Sequence, residues 1–246
     1  IKELQGPVEL NMVTDDIAEA VEGCRYICLV APAFTHLGYA KLLKEQLSSV
    51  LPIADQNFSK FDMSFYSTRP DGRSGISPRE NMEYNLGECK AYAAKFNKDS
   101  PNLLLFGSTG LGKTFLSTCI AEAVSARGFS VAYDTAINIV AAYETIKFGS
   151  GDGEAAAERA ARYERADLLI IDDMGTEMGT AFTVSALYNL INNRLMAKRP
   201  MIINTNLLPE TLSEKYSPAV ASRLLGEFLP LRFFGDDIRL LKMRRT

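Results

Sequence analysis

The sequence predicts an α/β fold in which a parallel sheet is flanked by helices, together with a small region at the N-terminus. From residue 102 onward, short apolar runs alternate with segments of helical periodicity, a pattern typical of parallel strands joined by crossover helices. Two of these apolar runs end in polar residues, as strands do where their carboxyl ends form a binding edge. A chain of 246 residues is long enough for one such core and an extension.

The first helix of the predicted core begins after Ser77. Ser77, Pro78 and Glu80 form the pattern of an N-cap serine, a proline in the first turn and a capping glutamate. Apolar residues spaced by three and four follow, so we expect one face of this helix to pack on a core. These residues are Met82, Leu86, Cys89, Ala93 and Phe96.

Hydrophobic periodicity predicts the remaining elements of the core. Strands are expected at 102–106, 130–134, 168–172 and 201–204, with a weaker one at 229–234. Helices are expected at 113–126, 135–147, 154–165, 181–198 and 218–227. Residues 149–153 contain three glycines and are predicted to form a mobile loop within a crossover.

A boundary between two regions is predicted near residue 75. Residues 67–75 are rich in turn formers, and residues 1–75 show no long helical or strand period. We therefore expect a small N-terminal region at 1–75 and the domain with the sheet at 76–246.

The composition favours a folded protein without a membrane segment. Hydrophobic residues make up 47% of the chain and charged residues 23%, which is ordinary for a globular domain. The longest apolar run near the start, residues 27–34, is far shorter than the roughly 20 residues of a membrane span. The net charge of −3 leaves the kind of partner open.

The four cysteines are typical of reduced intracellular thiols in a chain of this size, so we expect a cytoplasmic location. Cys24, Cys28 and His36 also offer a partial zinc site. The three-residue gap between the two cysteines departs from the usual two-residue gap, and no fourth ligand lies nearby in the sequence. Unpaired or structural thiols are the favoured interpretation, and the zinc site stays open as the alternative.

Residues 107–114 carry the strongest motif in the chain. They read Gly-Ser-Thr-Gly-Leu-Gly-Lys-Thr, the pattern of a phosphate-binding P-loop, between a predicted strand and a predicted helix. Glycines let consecutive backbone N–H groups surround phosphate oxygens, and the helix N-terminus favours anions. Lys113 is expected to reach the β- and γ-phosphates, and the Thr114 hydroxyl to bind Mg²⁺. We expect ATP to contact Gly107, Ser108, Thr109, Gly110, Leu111, Gly112, Lys113, Thr114 and Phe115.

Two acids end the apolar strand at 168–172, as a Walker B element requires. Asp172 is expected to hold Mg²⁺ through water, and Asp173 to orient or deprotonate the attacking water. A buried strand that ends in an acidic turn is the alternative. The P-loop upstream favours the metal site, and the sequence therefore predicts ATP hydrolysis.

A third apolar strand ends at Asn206. A strand next to the Walker B strand presents its carboxyl end to the γ-phosphate, so Asn206 is expected to position water. An asparagine after a strand is also a common turn former. The order of P-loop, paired acids, asparagine and later arginines is that of AAA+ ATPases.

At this point the sequence resembles a narrower group, the DnaC/DnaI/IstB-like AAA+ proteins of bacteria and phages. The resemblance covers about residues 77–246, with a weaker similarity at 57–63. It rests on strings such as Leu-Leu-Ile-Ile-Asp-Asp-Met-Gly-Thr-Glu at 168–177. The other strings lie at 102–114, 203–207, 221–226 and 234–239. Members of this group load replicative helicases onto single-stranded DNA or assist transposases.

The resemblance implies roles for two arginines. Arg223 corresponds to an arginine finger that contacts ATP in a neighbouring subunit, and Arg239 to a sensor-2 arginine. Fixed positive charge near the γ-phosphate stabilises the transition state of phosphoryl transfer. An arginine that acts in a neighbour requires a homo-oligomer or assembly on a partner ring.

The resemblance also implies contacts with partners. Members of the group carry a helical insertion that faces single-stranded DNA, and residues 137–165 occupy its place. Lys147 and Phe148 pair a cation with a ring that could stack on a base, although a phenylalanine at a helix end is more often part of a core. Residues 1–75 are expected to contact a partner protein.

The sequence therefore predicts a helicase loader in DNA replication that uses ATP and Mg²⁺ and binds single-stranded DNA and a DnaB-type ring helicase. An IstB-like helper ATPase of a transposase is one alternative. A nucleotide-gated adaptor that binds ATP with little turnover is another. A small-molecule P-loop kinase is disfavoured, because the sequence shows no arginine-rich lid.

Overall fold

The computed structural model describes residues 56–72, 74–149 and 151–244. The predictions for residues 1–55, including the thiols with His36 and the apolar run at 27–34, lie outside these ranges. Within them, no helix is long and apolar enough to cross a membrane.

Five parallel strands form one sheet in the order β2-β3-β4-β1-β5. Helices cover both faces, so the predicted fold class is confirmed. All five predicted strands are present, each within two residues of its predicted bounds. The strands are β1 at Asn102–Gly107, β2 at Val131–Thr135, β3 at Leu168–Met174, β4 at Met201–Thr205 and β5 at Phe228–Phe233.

The helices of the described residues include two that the sequence did not predict. The full set is α1 at Pro78–Lys95, α2 at Lys113–Ala126, α3 at Ala136–Phe148, α4 at Gly153–Arg165, α5 at Ala181–Met196, α6 at Pro209–Tyr216, α7 at Pro218–Glu227 and α8 at Ile238–Met243. The sequence missed α6 and α8 because elements of eight and six residues are too short to show a helical period. Two short 3₁₀ turns, Phe58–Lys60 and Met63–Phe65, were missed for the same reason.

The start of α1 has the predicted capping box. The Ser77 hydroxyl accepts a hydrogen bond from the Glu80 N–H at 3.2 Å, and the Glu80 carboxylate accepts one from the Ser77 N–H at 2.7 Å. Four of the five predicted core residues of α1 are buried, and Leu86 packs on the core at its edge. The Asn85 amide donates a hydrogen bond to the Arg232 carbonyl at 2.8 Å, which fixes α1 against β5.

The sheet separates two apolar clusters. One cluster packs α1 and α2 against one face, through residues such as Leu103 and Leu105 of β1. The other packs α3, α5, α6 and α7 against the opposite face, through Leu104 and Phe106. Alternate residues of β1 therefore belong to different clusters, because successive side chains of a strand point to opposite faces and helices cover both faces of this sheet.

Residues before the predicted boundary also pack on the core. Tyr66 is buried in the cluster of α1 and α2, and Phe58, Phe61 and Met63 contact it. The Arg79 guanidinium donates a hydrogen bond to the Met63 carbonyl at 2.7 Å. The boundary near residue 75 stays a prediction, while the segment from residue 58 to residue 66 forms part of the packing around the sheet.

A buried arginine joins the segments that lead into β3 and β4. The Arg194 side chain is 1% exposed, and its guanidinium donates hydrogen bonds to the carbonyls of Tyr163, Ala166 and Pro200 at 2.7, 3.1 and 2.8 Å. Burial lowers the pKa of Arg194 to about 9. One side chain thus connects the segments that immediately precede two neighbouring strands.

We expect Arg194→Met to lower the free energy of unfolding by about 3 kcal/mol or more, because the buried carbonyls of Tyr163 and Ala166 lose the guanidinium donor. Urea denaturation would measure the change. Lys98→Met serves as the control, since the Lys98 side chain is 78% exposed, and it should stay within about 0.5 kcal/mol of the parent protein. Equal values for the two variants would contradict the structural role of Arg194.

Candidate functional site

The turn between β1 and α2 has a backbone that requires glycine. Gly107, Gly110 and Gly112 have φ values of 136°, 71° and 95°, which side-chain-bearing residues rarely adopt. A Cβ atom on Gly107 would also collide with the main-chain oxygen of Phe233 in β5. The turn leads directly into α2, whose free N–H groups and dipole favour an anion. The predicted P-loop sequence thus has the backbone of a phosphate cradle.

Lys113 lies inside this turn. Its ammonium donates hydrogen bonds to the carbonyls of Gly107 and Ser108, both at 2.7 Å, and the residue is 5% exposed. Burial lowers the pKa of Lys113 to about 8, while the charges of Asp173 and Asp172 act in the opposite direction. A buried cation held by neutral carbonyls can exchange them for phosphate oxygens.

The Asp172 carboxylate, which is 4% exposed, lies at the centre of a hydrogen-bond network. One oxygen accepts from the Thr114 hydroxyl at 3.2 Å and from the Asn204 amide at 2.8 Å. The other accepts from the Tyr133 hydroxyl at 2.8 Å. The Asn204 amide also donates to the Ser117 hydroxyl at 2.7 Å.

Sequence reasoning missed Asn204, Tyr133 and Ser117. Tyr133 lies in an apolar strand pattern, and only the pairing of β2 with β3 brings it to Asp172. Asn204 is two residues before the predicted Asn206, within the same strand motif, so the motif alone does not tell which asparagine meets the acid.

Asp173 has a different environment from Asp172. Its φ of 51° turns the chain sharply near the end of β3, where the pairing with β4 is irregular. Burial raises the pKa of Asp173 above its ordinary value, and the charge of Asp172 adds to this effect. Lys113, Arg239 and a hydrogen bond with Asn206 oppose it. A half-buried carboxylate with a raised pKa is a better proton acceptor than an exposed one.

A cavity of about 440 Å³ lies over the turn, a volume suited to a small molecule. It brings together most of the predicted site residues: Thr109 to Phe115, Asp173, Asn206 and Arg239 line it. Lys242 of α8 also lines it. The Ile238 N–H donates a hydrogen bond to the Gly110 carbonyl at 3.0 Å, so the start of α8 contacts the turn directly.

The N-terminal segment supplies an aromatic wall of the same cavity. The Phe61 ring stacks on Tyr66 at a centroid distance of 5.8 Å and meets the Phe115 ring edge-on at 5.5 Å. The Tyr66 hydroxyl donates a hydrogen bond to the Leu111 carbonyl at 3.0 Å. The sequence pointed to this segment only through the weak similarity at 57–63.

Two oxygen ligands that contact each other at the start of α2 fit a magnesium ion. Thr114 and Asp172 offer a hydroxyl and a carboxylate, and Mg²⁺ commonly takes one or two such ligands with water and phosphate completing the octahedron. Among the described residues there is no group of three or more His, Cys, Asp or Glu side chains that could hold a metal alone. A metal bound here would therefore depend on the phosphate ligand.

Arg223 does not line this cavity. It is half-buried on α7, and its guanidinium lies 5.5 Å from the ring centroid of Tyr188 and donates a weak hydrogen bond to the Tyr188 hydroxyl at 3.5 Å. Its role at the site of a neighbouring subunit stays a prediction.

Lys147 and Phe148 lie at the end of α3, on the surface. Phe148 is 66% exposed, and its ring centroid is 5.6 Å from that of Phe182. The Lys147 ammonium is 4.7 Å from the Phe182 ring centroid. These three side chains form a surface cluster of one cation and two rings, in which Phe182 also packs against the core. Contact with DNA stays a prediction.

Comparison with known proteins places these features in a family. The family model described as IstB-like ATP binding protein matches residues 89–227. The replicative helicase loader DnaC of Escherichia coli K12 is 25% identical over 185 residues, which cover 70% of this chain and 75% of that protein.

A putative ATP-binding protein in an insertion sequence of Mycobacterium tuberculosis is 27% identical over 129 residues, covering 52% of this chain and 50% of that protein. The crystal structure of the DnaC helicase loader has a TM-score of 0.58 at 17% identity, and covers 74% of this chain and 98% of that one. It shares the fold.

We expect the affinity for a non-hydrolysable ATP analogue to fall as the pH is raised from 7 to 9.5. The Lys113 amine of the free site loses its proton above about pH 8, whereas bound phosphates favour the charged form. By linkage, affinity should fall by up to about tenfold per pH unit above pH 8. Equilibrium titration with a fluorescent analogue would measure it. Lys113→Arg, which keeps its charge, should show little change over this range, and a level profile of the parent protein would contradict the lowered pKa.

Proposed function

The chain belongs to the family of IstB-like ATP-binding proteins and is an AAA+ ATPase, and from this premise we propose that it loads a replicative ring helicase onto single-stranded DNA. The observation that carries the proposal is the similarity to a replicative helicase loader over three quarters of that protein's length. A loader acts on DNA in the cytoplasm, so the proposal includes that location.

In the proposed mechanism, the P-loop backbone and Lys113 hold the phosphates of ATP. Thr114 and Asp172 hold Mg²⁺, which supplies positive charge to the β- and γ-phosphates when it is bound. Asp173 and Asn206 orient the attacking water, since their side chains meet at the same end of the cavity. Arg239 adds positive charge from α8, and Phe61 and Tyr66 enclose the rest of the nucleotide.

The proposal assigns Arg223 to the ATP site of a neighbouring subunit. Supporting this, Arg223 does not line the nucleotide cavity of its own chain. Its described polar and ring contacts are with Tyr188. Hydrolysis then requires self-association or assembly on the helicase ring. The subunit interface closes when ATP is bound, and hydrolysis releases helicase or DNA.

A second candidate is a helper ATPase of a transposase. The description of the matching family and the relative from an insertion sequence favour it. That relative aligns over only half of its length, whereas the helicase loader aligns over three quarters. The loader is therefore the first candidate.

We expect the tagged chain to retain a DnaB-type helicase during purification in ATP, and less of it in ADP or without nucleotide. Lys113→Ala should abolish the difference, because it removes the cation that binds the phosphates. Failure to retain helicase in every state would overturn the loader, and retention of a transposase instead would favour the second candidate. Retention in ATP with no turnover, even with helicase and DNA present, would indicate a nucleotide-gated adaptor.

We expect Phe148→Ala to weaken binding of single-stranded DNA about tenfold, because a stacked base contributes about 1–3 kcal/mol. Fluorescence anisotropy with a labelled oligonucleotide would measure it. Tyr84→Ala is a matched control, since Tyr84 is an aromatic residue of α1 with 61% exposure against 66% for Phe148. Equal effects of Phe148→Ala and Tyr84→Ala would rule out the surface cluster as the DNA contact.

We expect Lys147→Ala to make the salt dependence of DNA binding shallower, by about 0.7 in the slope of log affinity against log salt concentration.

A further inference from the structure

A buried glutamate lies in the loop that follows β3. Glu177 is 5% exposed. One of its carboxylate oxygens accepts a hydrogen bond from the Gly175 N–H at 2.9 Å, and the other accepts one from the Tyr216 hydroxyl. A carboxylate is expensive to bury unless donors replace its water, so these contacts fix where the loop and Tyr216 lie relative to each other.

The residue before Tyr216 strengthens the same connection. The Lys215 ammonium donates hydrogen bonds to the carbonyls of Gly175 and Glu177, at 2.5 and 3.0 Å. The last two residues of α6 therefore bind the loop through both its backbone and its one buried side chain. We call Glu177, Lys215 and Tyr216 with these bonds the Glu177 clamp.

The loop side of the clamp is firmly anchored to the sheet. The Thr205 hydroxyl of β4 donates to the Met174 carbonyl at 2.6 Å, and the Thr176 hydroxyl donates to the Asp173 carbonyl at 2.8 Å. Gly175, with a φ of 111°, passes against the Leu207 side chain so closely that a Cβ would lie 2.8 Å from it. These contacts hold the loop independently of α6.

The helix side of the clamp lies next to α7, the helix that carries Arg223. The N-cap of α6, Leu208, makes no side-chain capping hydrogen bond. At its other end, Tyr216 is followed at once by Ser217, which has a φ of 130° and caps α7. Leu224 of α7 packs in the same apolar cluster as Tyr216. α7 also packs Val220 and Ala221 on this cluster and continues directly into β5, and the clamp adds a constraint at its other end, where α7 begins next to the end of α6.

We propose that Glu177 and Tyr216 are positioning residues for Arg223, which they orient from the loop that follows Asp173 and β3. This inference rests on the proposed function, in which Arg223 serves a neighbouring subunit. Asp173 and Arg223 of one chain then belong to two different ATP sites. The clamp connects the loop after the water-orienting acid of the first site to the helix that completes the second.

Complementation between two inactive variants tests the proposal with the assembled protein. Asp173→Asn subunits lack the acid but present Arg223, and Arg223→Ala subunits have the acid but lack the arginine. A mixture should hydrolyse ATP where the acid of one meets the arginine of the other. Tyr216→Phe is then added to one variant at a time.

We expect Tyr216→Phe on the Asp173→Asn subunit, the arginine donor, to lower kcat of the mixture about tenfold with an unchanged ATP half-saturation. On the Arg223→Ala subunit, which supplies the acid, Tyr216→Phe should change kcat of the mixture less than twofold. That result would also show that a subunit with Tyr216→Phe folds. Tyr92→Phe on the arginine donor is the control, because the buried Tyr92 hydroxyl has no hydrogen-bond partner among the described residues, and it should have no effect.

The outcomes distinguish a failure of the clamp's positioning role from a failure of the proposed role of Arg223. Equal losses on both subunits, or no loss on the arginine donor, would overturn the positioning role of the clamp while leaving the arginine finger in place. An inactive mixture of the two starting variants, or full activity of Arg223→Ala alone, would overturn the role of Arg223 in a neighbour and the coupling with it.

Discussion

The buried Asp172 carboxylate is the contact on which the rest of the site depends. Its hydrogen-bond donors come from α2, β2 and β4, and Asp172 itself lies near the end of β3, so a single side chain fixes four elements relative to one another. A carboxylate in this position would be costly without donors, and their number offsets the loss of water. The same arrangement leaves one oxygen next to the Thr114 hydroxyl, where a magnesium ion needs it.

The parallel sheet makes this convergence possible. In register, Thr135 of β2 pairs with Asp172, and Phe106 of β1 pairs with Thr205 of β4, so all these strands end at the same edge. The turn after β1 and the acid near the end of β3 therefore meet although many residues separate them in the chain. Arg194 supports the opposite ends of β3 and β4, which keeps the register from which the site is built.

The features that could be predicted from sequence are those determined by neighbours in the chain. The bounds of α2 match the prediction because Gly112 and the P-loop define its start locally. The acids and Asn206 were identified because each lies at or just after the end of an apolar run in the sequence. Tyr133 and Asn204 could not be identified, since their contacts with Asp172 arise only from strand order. The aromatic wall and the Glu177 clamp depend on contacts between distant segments, and α6 and α8 are too short to show a period.

The cavity over the P-loop takes its walls from both ends of the described chain. Phe61 and Tyr66 close one side, and α8 closes another through Ile238 and Arg239. A nucleotide held there is a bridge between the two ends, and mass action makes the stability of both segments depend on nucleotide concentration. A truncated protein that begins at residue 76 would lose the aromatic wall together with the N-terminal region. Gln56, the first described residue, also lines the cavity, so filling and emptying the cavity acts directly on the point where the described chain begins.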